Sequence, residues 1–134
     1  MSDVRYRKHA GCVFTLKYHI VWCPKYCLPV LTGEVASDLR ILLHKKAEEL
    51  QVTIGAMEIM PDHVHLFVAS DPTEAPQRLA NQFKGYTFRI LREKYPHLRS
   101  RMPSLWSRSY YIASVGQVSE VTVRGYIAEQ KGRS

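Results

Sequence analysis

The sequence predicts an α+β domain in which helices cover one face of an antiparallel sheet. Three observations predict it. The chain has 134 residues, the size of one domain. Runs of β-branched and aromatic residues alternate with stretches of helical periodicity. A tight Pro61-Asp62 turn joins two short apolar runs. Hydrophobic residues make up 46% and charged residues 23%, as in ordinary globular proteins, so we expect one domain over residues 1–134.

The first half of the chain supplies three strands and one helix. Residues 1–10 are polar and basic and are expected to form an arm. Residues 12–23, CVFTLKYHIVWC, favour a long first strand. Apolar residues recur at helical spacing over 34–51, which predicts an amphipathic helix. Residues 52–60 and 63–70 then form the second and third strands, joined as a hairpin.

The second half supplies a helix, a strand and a last helix. Helical periodicity over 77–94 predicts the second long helix, which Pro96 ends. An irregular basic segment follows, and then residues 109–115, SYYIASV, favour a fourth strand. Ser119 can cap a final helix within 118–131. The order β-α-β-β-α-β-α describes a ferredoxin-like (RRM-like) sheet with an additional C-terminal helix.

Positive charge is concentrated in one quarter of the chain. The net charge is +7, and the segment 78–108 carries all of it, with Glu93 as its only acidic residue. Aromatic residues interleave with the basic ones, a composition that suits single-stranded nucleic acid. The alternative is a solvated helix face whose rings lie in the core. The candidate DNA-binding residues are Lys84, Arg89, Arg92, Arg99, Arg101 and Arg108.

The cysteines and the hydropathy pattern predict a cytoplasmic protein. Cys12, Cys23 and Cys27 are an odd number in a sequence that shows no signal peptide, so reduced thiols are expected rather than disulfides. No second cysteine pair completes a zinc site, and the cysteines are interpreted as structural. No stretch has the length of a transmembrane segment.

Two histidines lie one residue apart on the predicted third strand. Side chains alternate along a strand, so His63 and His65 point to the same side, with Cα atoms roughly 6.5–7 Å apart. Two imidazoles at that separation can converge on one metal ion. The spacing is equally consistent with two histidines on the wet face of a half-exposed strand.

Tyr126 and Gln130 are four residues apart on the final predicted helix and share one of its faces. A tyrosine hydroxyl can attack phosphorus when a cation polarises the phosphate. A glutamine carbonyl can complete a hard-cation site that two imidazoles leave half built. Alternatively, Tyr126 is a surface tyrosine, and Tyr110 and Tyr111 on the fourth strand are competing nucleophiles.

Further stretches accompany these pairs in a fixed order along the chain. They are YHIVWCPKY at 18–26, MPDHVHL at 60–66, FKG at 83–85, and LW at 105–106 followed by SY at 109–110. Together with Tyr126-x-x-x-Gln130, they resemble the single-tyrosine HUH transposases of the insertion-sequence 200/605 family. The resemblance spans nearly the whole chain, and MPDHVHL is its most specific part.

The resemblance implies a small dimeric enzyme that binds hairpins at the ends of an insertion sequence and cuts and rejoins single-stranded DNA there. It implies that His63, His65 and Gln130 bind Mg²⁺ or Mn²⁺ and that Tyr126 forms a 5′-phosphotyrosine link. It also implies that the tyrosine helix of one subunit serves the histidines of the other. Asp62 and Glu58 lie near enough to be further ligands, but neither is assigned.

Other functions were weighed against the same residues. A domesticated relative acting on chromosomal palindromic repeats has the same sequence features. A non-catalytic ferredoxin-like RNA-binding module accounts for the fold and the charge but not for the histidine and tyrosine–glutamine pairs. A histidine-triad hydrolase needs a third alternating histidine where Phe67 stands, and a His-x-Thr phosphoesterase needs threonine where His65 stands.

Overall fold

The computed structural model describes the backbone of residues 7–9, 12–14, 16–71, 73–102, 104–114 and 120–133, and the side chains of residues 16–71, 73–102, 104–114 and 125–131. Its elements keep the predicted order. A short β-hairpin is added before the first long strand, and a short helix is added before the last strand.

Four antiparallel strands form the main sheet. They are β3 (Leu16–Trp22), β4 (Thr53–Met60), β5 (His63–Ser70) and β6 (Tyr111–Ser114). Their spatial order is β4-β5-β3-β6, so the two strands of the central hairpin lie on one side and the last strand pairs with the first. This is the order expected of the predicted ferredoxin-like fold.

Two long helices, α1 (Gly33–Leu50) and α2 (Pro76–Lys94), cover one face of the sheet. The other helices are α3 (Pro96–Arg101) and α4 (Glu120–Arg133). In the described part of the chain, none of them is long and apolar enough to cross a membrane. The core lies between α1, α2 and the sheet, and its fully buried members include Ile20, Trp22, Leu39, Leu43, Val64, Leu66, Val68 and Phe83.

β4 contains a register irregularity that matters for the opposite face. The irregularity falls between Ile54 and Ala56, at the position of Gly55. A Cβ atom built on Gly55 would lie 3.0 Å from Cδ1 of Phe67 on β5. The missing side chain therefore gives the Phe67 ring room to lie over β4, a common use of glycine at bulges.

The predicted first strand was wrong in one respect, because it is two strands. β2 (Cys12–Phe14) pairs with β1 (Arg7–His9), and only Leu16–Trp22 enters the main sheet. The register explains the division: Leu16 already faces Ser70, the last residue of β5, so earlier residues have no partner there. β1 also uses part of the predicted basic arm, whose residues 1–6 and 10 lie outside the described residues.

Two predicted boundaries near the end of the chain also differ. The segment after Pro96 was expected to be irregular but forms α3, with the proline in its first turn, where its fixed φ favours a helix start. β6 begins at Tyr111 rather than at residue 109. Val115, expected at its end, and Ser119, expected to cap α4, lie outside the described residues.

Candidate active site

The two histidines lie on the sheet face that α1 and α2 leave uncovered. β5 pairs with β3 on one side and with β4 on the other. Val64 and Leu66 are buried in the core, and strand alternation turns His63 and His65, both half-buried, to the opposite face. Their ring centroids are 5.9 Å apart and the ring planes are nearly perpendicular. Pairing on both sides of β5 fixes this spacing.

Each imidazole has its own carboxylate at Nδ1. Nδ1 of His63 is 2.9 Å from Oδ1 of Asp62, within hydrogen-bond distance. Nδ1 of His65 is 3.6 Å from Oε1 of Glu58, which faces it across the β4–β5 pair. A carboxylate at Nδ1 favours the tautomer that leaves Nε2 with its lone pair, the arrangement commonly found behind metal-binding histidines. Asp62 and Glu58 are thus placed to orient the rings.

The histidines fit part of a divalent metal site. Nε2 of His65 is buried and has no hydrogen-bond partner among the described residues. Burial, followed by the nearby His63 and His19, lowers the pKa of His65, so the ring is neutral at pH 7 and can act as a ligand. Within the described ranges, no three His, Cys, Asp or Glu side chains form a cluster that could hold a metal.

α4 presents Tyr126 and Gln130 to the segment that precedes β6. Gln130 is only 2% exposed, and its Oε1 accepts a hydrogen bond from Oγ of Ser107 at 2.8 Å. The hydroxyl of Tyr126 is 3.4 Å from Oγ of Ser109, and its ring centroid is 6.2 Å from that of Tyr111. Burial raises the pKa of the Tyr126 phenol well above its ordinary value. In this position the hydroxyl is protonated at physiological pH.

The last turn of α4 reaches the histidine strand of the same chain. Nζ of Lys131 is 3.5 Å from Oδ2 of Asp62, whose other oxygen faces His63. One turn earlier, the thiol of Cys27 donates to the backbone carbonyl of Ile127 at 3.7 Å. The last turn of α4 therefore contacts the turn that precedes the histidines, while the hydrogen bonds of the tyrosine and glutamine side chains go to serines rather than to imidazoles.

A buried lysine holds the segment that α4 contacts. Nζ of Lys84 donates to the backbone carbonyls of Ser107, Arg108 and Ser109, at 2.7, 3.3 and 3.1 Å. The residue is 9% exposed, and burial lowers its pKa to about 8. Lys84 was predicted to bind DNA, but its ammonium group is hydrogen-bonded inside the protein. We therefore correct that prediction, because a group in this position does not reach a phosphate on the surface.

The other five basic candidates lie nearer the solvent. Arg92 is half-buried, and its Nη2 donates to the carbonyl of Met102 at 3.3 Å. Nη1 of Arg99 donates to the carbonyls of Arg92 and Glu93, near the C-terminal end of α2, where a cation is favourable. The candidates that remain exposed are Arg89, Arg99, Arg101 and Arg108.

Comparison with known proteins agrees with this set of motifs. The family described as "Transposase IS200 like" matches residues 12–130. The chain belongs to this family. The ISDra2 transposase TnpA of Deinococcus radiodurans is 36% identical to it over 126 residues, 92% of this chain and 90% of the relative. The transposase for insertion sequence element IS200 of Salmonella typhimurium is 30% identical over 132 residues, 97% of this chain and 85% of the relative.

Solved structures resemble the transposase over the same extent. A transposase crystal structure from Deinococcus radiodurans superposes with a TM-score of 0.84 and 32% identity, covering 92% of this chain and 97% of the other. A REP-associated tyrosine transposase bound to a REP hairpin shares the fold, with a TM-score of 0.56 and 13% identity over 95% of this chain and 68% of the other. The family assignment favours a mobile-element transposase over the RNA-binding module considered from the sequence.

Some contacts of the transposase were missed from its sequence. The pairing of Glu58 with His65 could have been found, because a two-residue turn at 61–62 sets Met60 opposite His63 and hence Glu58 opposite His65. Ser107 and Ser109 carried no such signal. They contact α4 through side-chain hydrogen bonds between segments that are distant in sequence.

Proposed function

We propose that this transposase binds hairpins at the ends of a mobile element and cuts and rejoins single-stranded DNA through a 5′-phosphotyrosine intermediate. One observation carries the proposal: the paired imidazoles of His63 and His65, each backed by a carboxylate at Nδ1, lie next to the helix that bears Tyr126. Two histidines that only face solvent would not need carboxylates at both Nδ1 atoms. With Nδ1 paired in this way, the Nε2 atom of each ring is left to bind an external ligand.

His63, His65 and Gln130 would hold the metal, Mg²⁺ or Mn²⁺. When bound, such an ion acts as a Lewis acid that polarises the scissile phosphate and stabilises the leaving oxygen. Asp62 and Glu58 keep the rings oriented. Oε1 of Gln130 accepts a hydrogen bond from Ser107 and keeps a second lone pair, which we propose binds the ion once the helix and the histidines come together.

Tyr126 is the proposed nucleophile. Its hydroxyl oxygen attacks the scissile phosphorus, the bond from phosphorus to the 3′ oxygen breaks, and that oxygen takes up a proton as the tyrosine loses one. One phosphodiester replaces another, so a 3′-OH on a second strand can reverse the reaction without ATP. Burial raises the pKa of the Tyr126 phenol in this position, so its activation needs a cation beside the hydroxyl or a change of surroundings.

Charge and fold support the DNA substrate. The net charge of +7 favours binding of a polyanion, and exposed arginines lie on α2 and on the segment after it. A transposase of the same fold has been solved with a REP hairpin, which supports a hairpin-bearing strand as the ligand here. We further propose a homodimer in which the tyrosine helix of one subunit completes the histidine site of the other.

The test is covalent capture of DNA. Purified transposase is mixed with labelled single-stranded DNA taken from each flank of its gene, in Mg²⁺ or Mn²⁺, and adducts are resolved by denaturing electrophoresis. We expect an adduct with a strand that folds into a hairpin, and little with the same sequence as a duplex, because attack needs an unpaired scissile step. Chelator should abolish it.

Two substitutions locate the chemistry. Tyr126→Phe should bind DNA and form no adduct, since only the attacking oxygen is lost. Tyr111→Phe is the matched control, because its ring neighbours Tyr126 but is not the proposed nucleophile. His63→Ala should lose the adduct and keep most DNA binding. An adduct from Tyr126→Phe, or full activity of His63→Ala, would contradict the proposal.

A further inference from the structure

A cavity adjoins the histidines on the open face of the sheet. It has a volume of about 350 Å³, within the range of roughly 300–1,000 Å³ found for small-molecule sites. Rings and apolar groups form much of its lining, and an imidazole and a carboxylate add polar edges. Its lining includes His19, Ala56, Met57, Glu58, His65 and Phe67. The proposed chemistry uses only the two residues at one end of it.

Two rings at the other end come from adjacent central strands. His19 on β3 and Phe67 on β5 face each other directly in the strand register. Their ring centroids are 5.0 Å apart, with the planes near a right angle. Both side chains are half-buried, and Nδ1 of His19 is buried without a hydrogen-bond partner in the part of the chain that the structure describes.

The backbone is adapted to the position of the phenylalanine ring. The irregularity of β4 places Gly55 under the ring, and a Cβ there would meet Cδ1 at 3.0 Å and Cε1 at 3.4 Å. Among the described residues, neither α1 nor α2 covers the Phe67 ring, and exposing part of an apolar ring to water is unfavourable. Providing room for it with a glycine in a strand interior adds a further cost. Such a ring is explained if a ligand covers it.

The cavity is continuous with the candidate metal site through His65. The ring of His19 lies 5.7 Å from that of His65, which in turn lies 5.9 Å from His63. A strand whose phosphate is held at the histidines therefore places a neighbouring nucleotide at the mouth of the cavity. This step rests on the proposed function, since it takes the same strand.

We propose that the cavity binds one unpaired base of the DNA strand, next to the scissile phosphate, against the rings of Phe67 and His19. A base has an apolar face for the rings and a polar edge for the carboxylate of Glu58. Aromatic residues on the two central strands of a four-stranded sheet are a known means of stacking unpaired bases in RNA-binding domains, here by analogy of fold. The base would be selected for being unpaired more than for its identity.

The test measures which bases of the strand depend on Phe67. The probe is single-stranded DNA from the flanks of the gene, with one abasic site introduced at each position in turn. Its affinity is measured for the wild type, Phe67→Leu, Phe67→Trp and Phe88→Leu. Phe88 is the matched control, a half-buried phenylalanine that lines a different cavity beside α2. Thermal unfolding verifies that each variant is folded.

We expect one position, beside the cleavage point, where the abasic site weakens wild-type binding about 5- to 100-fold, as for loss of a stacked base. Phe88→Leu and Phe67→Trp should show the same loss, and Phe67→Leu should not, because its cavity no longer distinguishes a base from a gap. Identical abasic profiles for the wild type and a folded Phe67→Leu would overturn the proposal.

A second measurement uses only the wild-type protein. A 5-iododeoxyuridine at the sensitive position is crosslinked by light, and the crosslinked peptide is identified by mass spectrometry. A crosslink to Phe67 or His19 supports the proposal, whereas a crosslink confined to α2 overturns it. The proposal is also overturned if binding depends on Phe67 for RNA but not for DNA. Neither measurement needs cleavage. If the protein forms the covalent adduct but no base depends on Phe67, only the proposal of base binding in the cavity is refuted. If one base depends on Phe67 but no adduct forms, only the proposed cleavage chemistry is refuted.

Discussion

Replacing Lys84 by methionine tests whether this residue holds residues 107–109, the segment that α4 contacts, or binds DNA. The substitution keeps most of the side-chain volume and removes the ammonium group. The carbonyls of Ser107, Arg108 and Ser109 then lose their donor. A buried acceptor left without its donor costs roughly 1–3 kcal/mol. Three such carbonyls together outweigh what is regained by removing a buried ammonium, so we expect Lys84→Met to destabilise the protein.

The size of the loss follows from two opposing quantities. Burial lowers the pKa of Lys84 from 10.5 to about 8, which corresponds to roughly 3.4 kcal/mol at about 1.36 kcal/mol per pKa unit. Against this gain, three buried carbonyls left without a donor cost roughly 1–3 kcal/mol each, or about 3–9 kcal/mol together. The net loss is centred near about 3 kcal/mol. At roughly 3–4 °C per kcal/mol for a chain of this length, the Tm should fall by about 10 °C.

The assay combines unfolding with DNA binding. Urea and thermal unfolding are compared for wild type, Lys84→Met and Lys94→Met. Lys94 is an exposed lysine paired with Asp38, and its substitution should leave the stability nearly unchanged because exposed ion pairs contribute little. The salt dependence of single-stranded DNA affinity should be unchanged in Lys84→Met, whereas Arg108→Met should reduce the slope by about 0.7 if it contacts one phosphate. A Lys84→Met protein of wild-type stability with a shallower salt slope would refute the reasoning.

The pH dependence gives an independent check on the same residue. The folded-state pKa of Lys84 is lowered, so between pH 8 and 10.5 the unfolded chain binds more protons at this position than the folded chain. The free energy of unfolding therefore rises with pH in that window through this group. Lys84→Met removes that rise, so the destabilisation by the substitution should grow from pH 8 to pH 10.

Three further outcomes are expected. Mixing Tyr126→Phe with a His63→Ala His65→Ala double variant should restore adduct formation if sites are shared between subunits, because one composite site is then complete; no adduct despite proven subunit exchange would assign the site to a single chain. In the metal-free protein, nuclear magnetic resonance should show His65 titrating below pH 6.5, since burial lowers its pKa. The neutral ring therefore contributes to the free energy of unfolding above that range, and this contribution is lost as the pH falls. A midpoint above pH 6.5 would contradict the geometry. Gly55→Ala should be less destabilising in a Phe67→Leu background than in the wild type, by about 0.5–3 kcal/mol in urea unfolding, because its Cβ meets the Phe67 ring at 3.0 Å; strictly additive effects of the two substitutions would show that the ring is not the obstacle.

The order of elements was predictable from local patterns in the sequence. Alternation along 63–70 and helical periodicity along 34–51 reflect burial against one core, so they also located the uncovered face. The break between β2 and β3 was not predictable, because both segments favour strands equally. Only the length of β5 decides where pairing stops.

The surroundings of charged residues were harder to predict than their positions. Lys84 and Arg89 lie on the same basic helix, yet the first is buried and the second exposed. The difference arises because Lys84 bonds backbone carbonyls that lie 23–25 residues further along the chain, and the pattern of side chains in a sequence does not predict such contacts. The roles of Asp62 and Glu58 depend on which imidazole nitrogen they face, a detail of side-chain geometry rather than of spacing.

Pairing of β5 on both sides separates folding from metal binding. Val64, Leu66 and Val68 anchor the strand in the core, so the histidine spacing is established before any ion arrives. In small zinc domains, by contrast, the metal supplies the folding energy and chelators unfold the chain. Here the strand pairing would order the two proposed ligands when the chain folds. An ion at the proposed site would therefore add stability only by mass action, as RT ln(1 + [M]/Kd), and its removal should leave the protein folded.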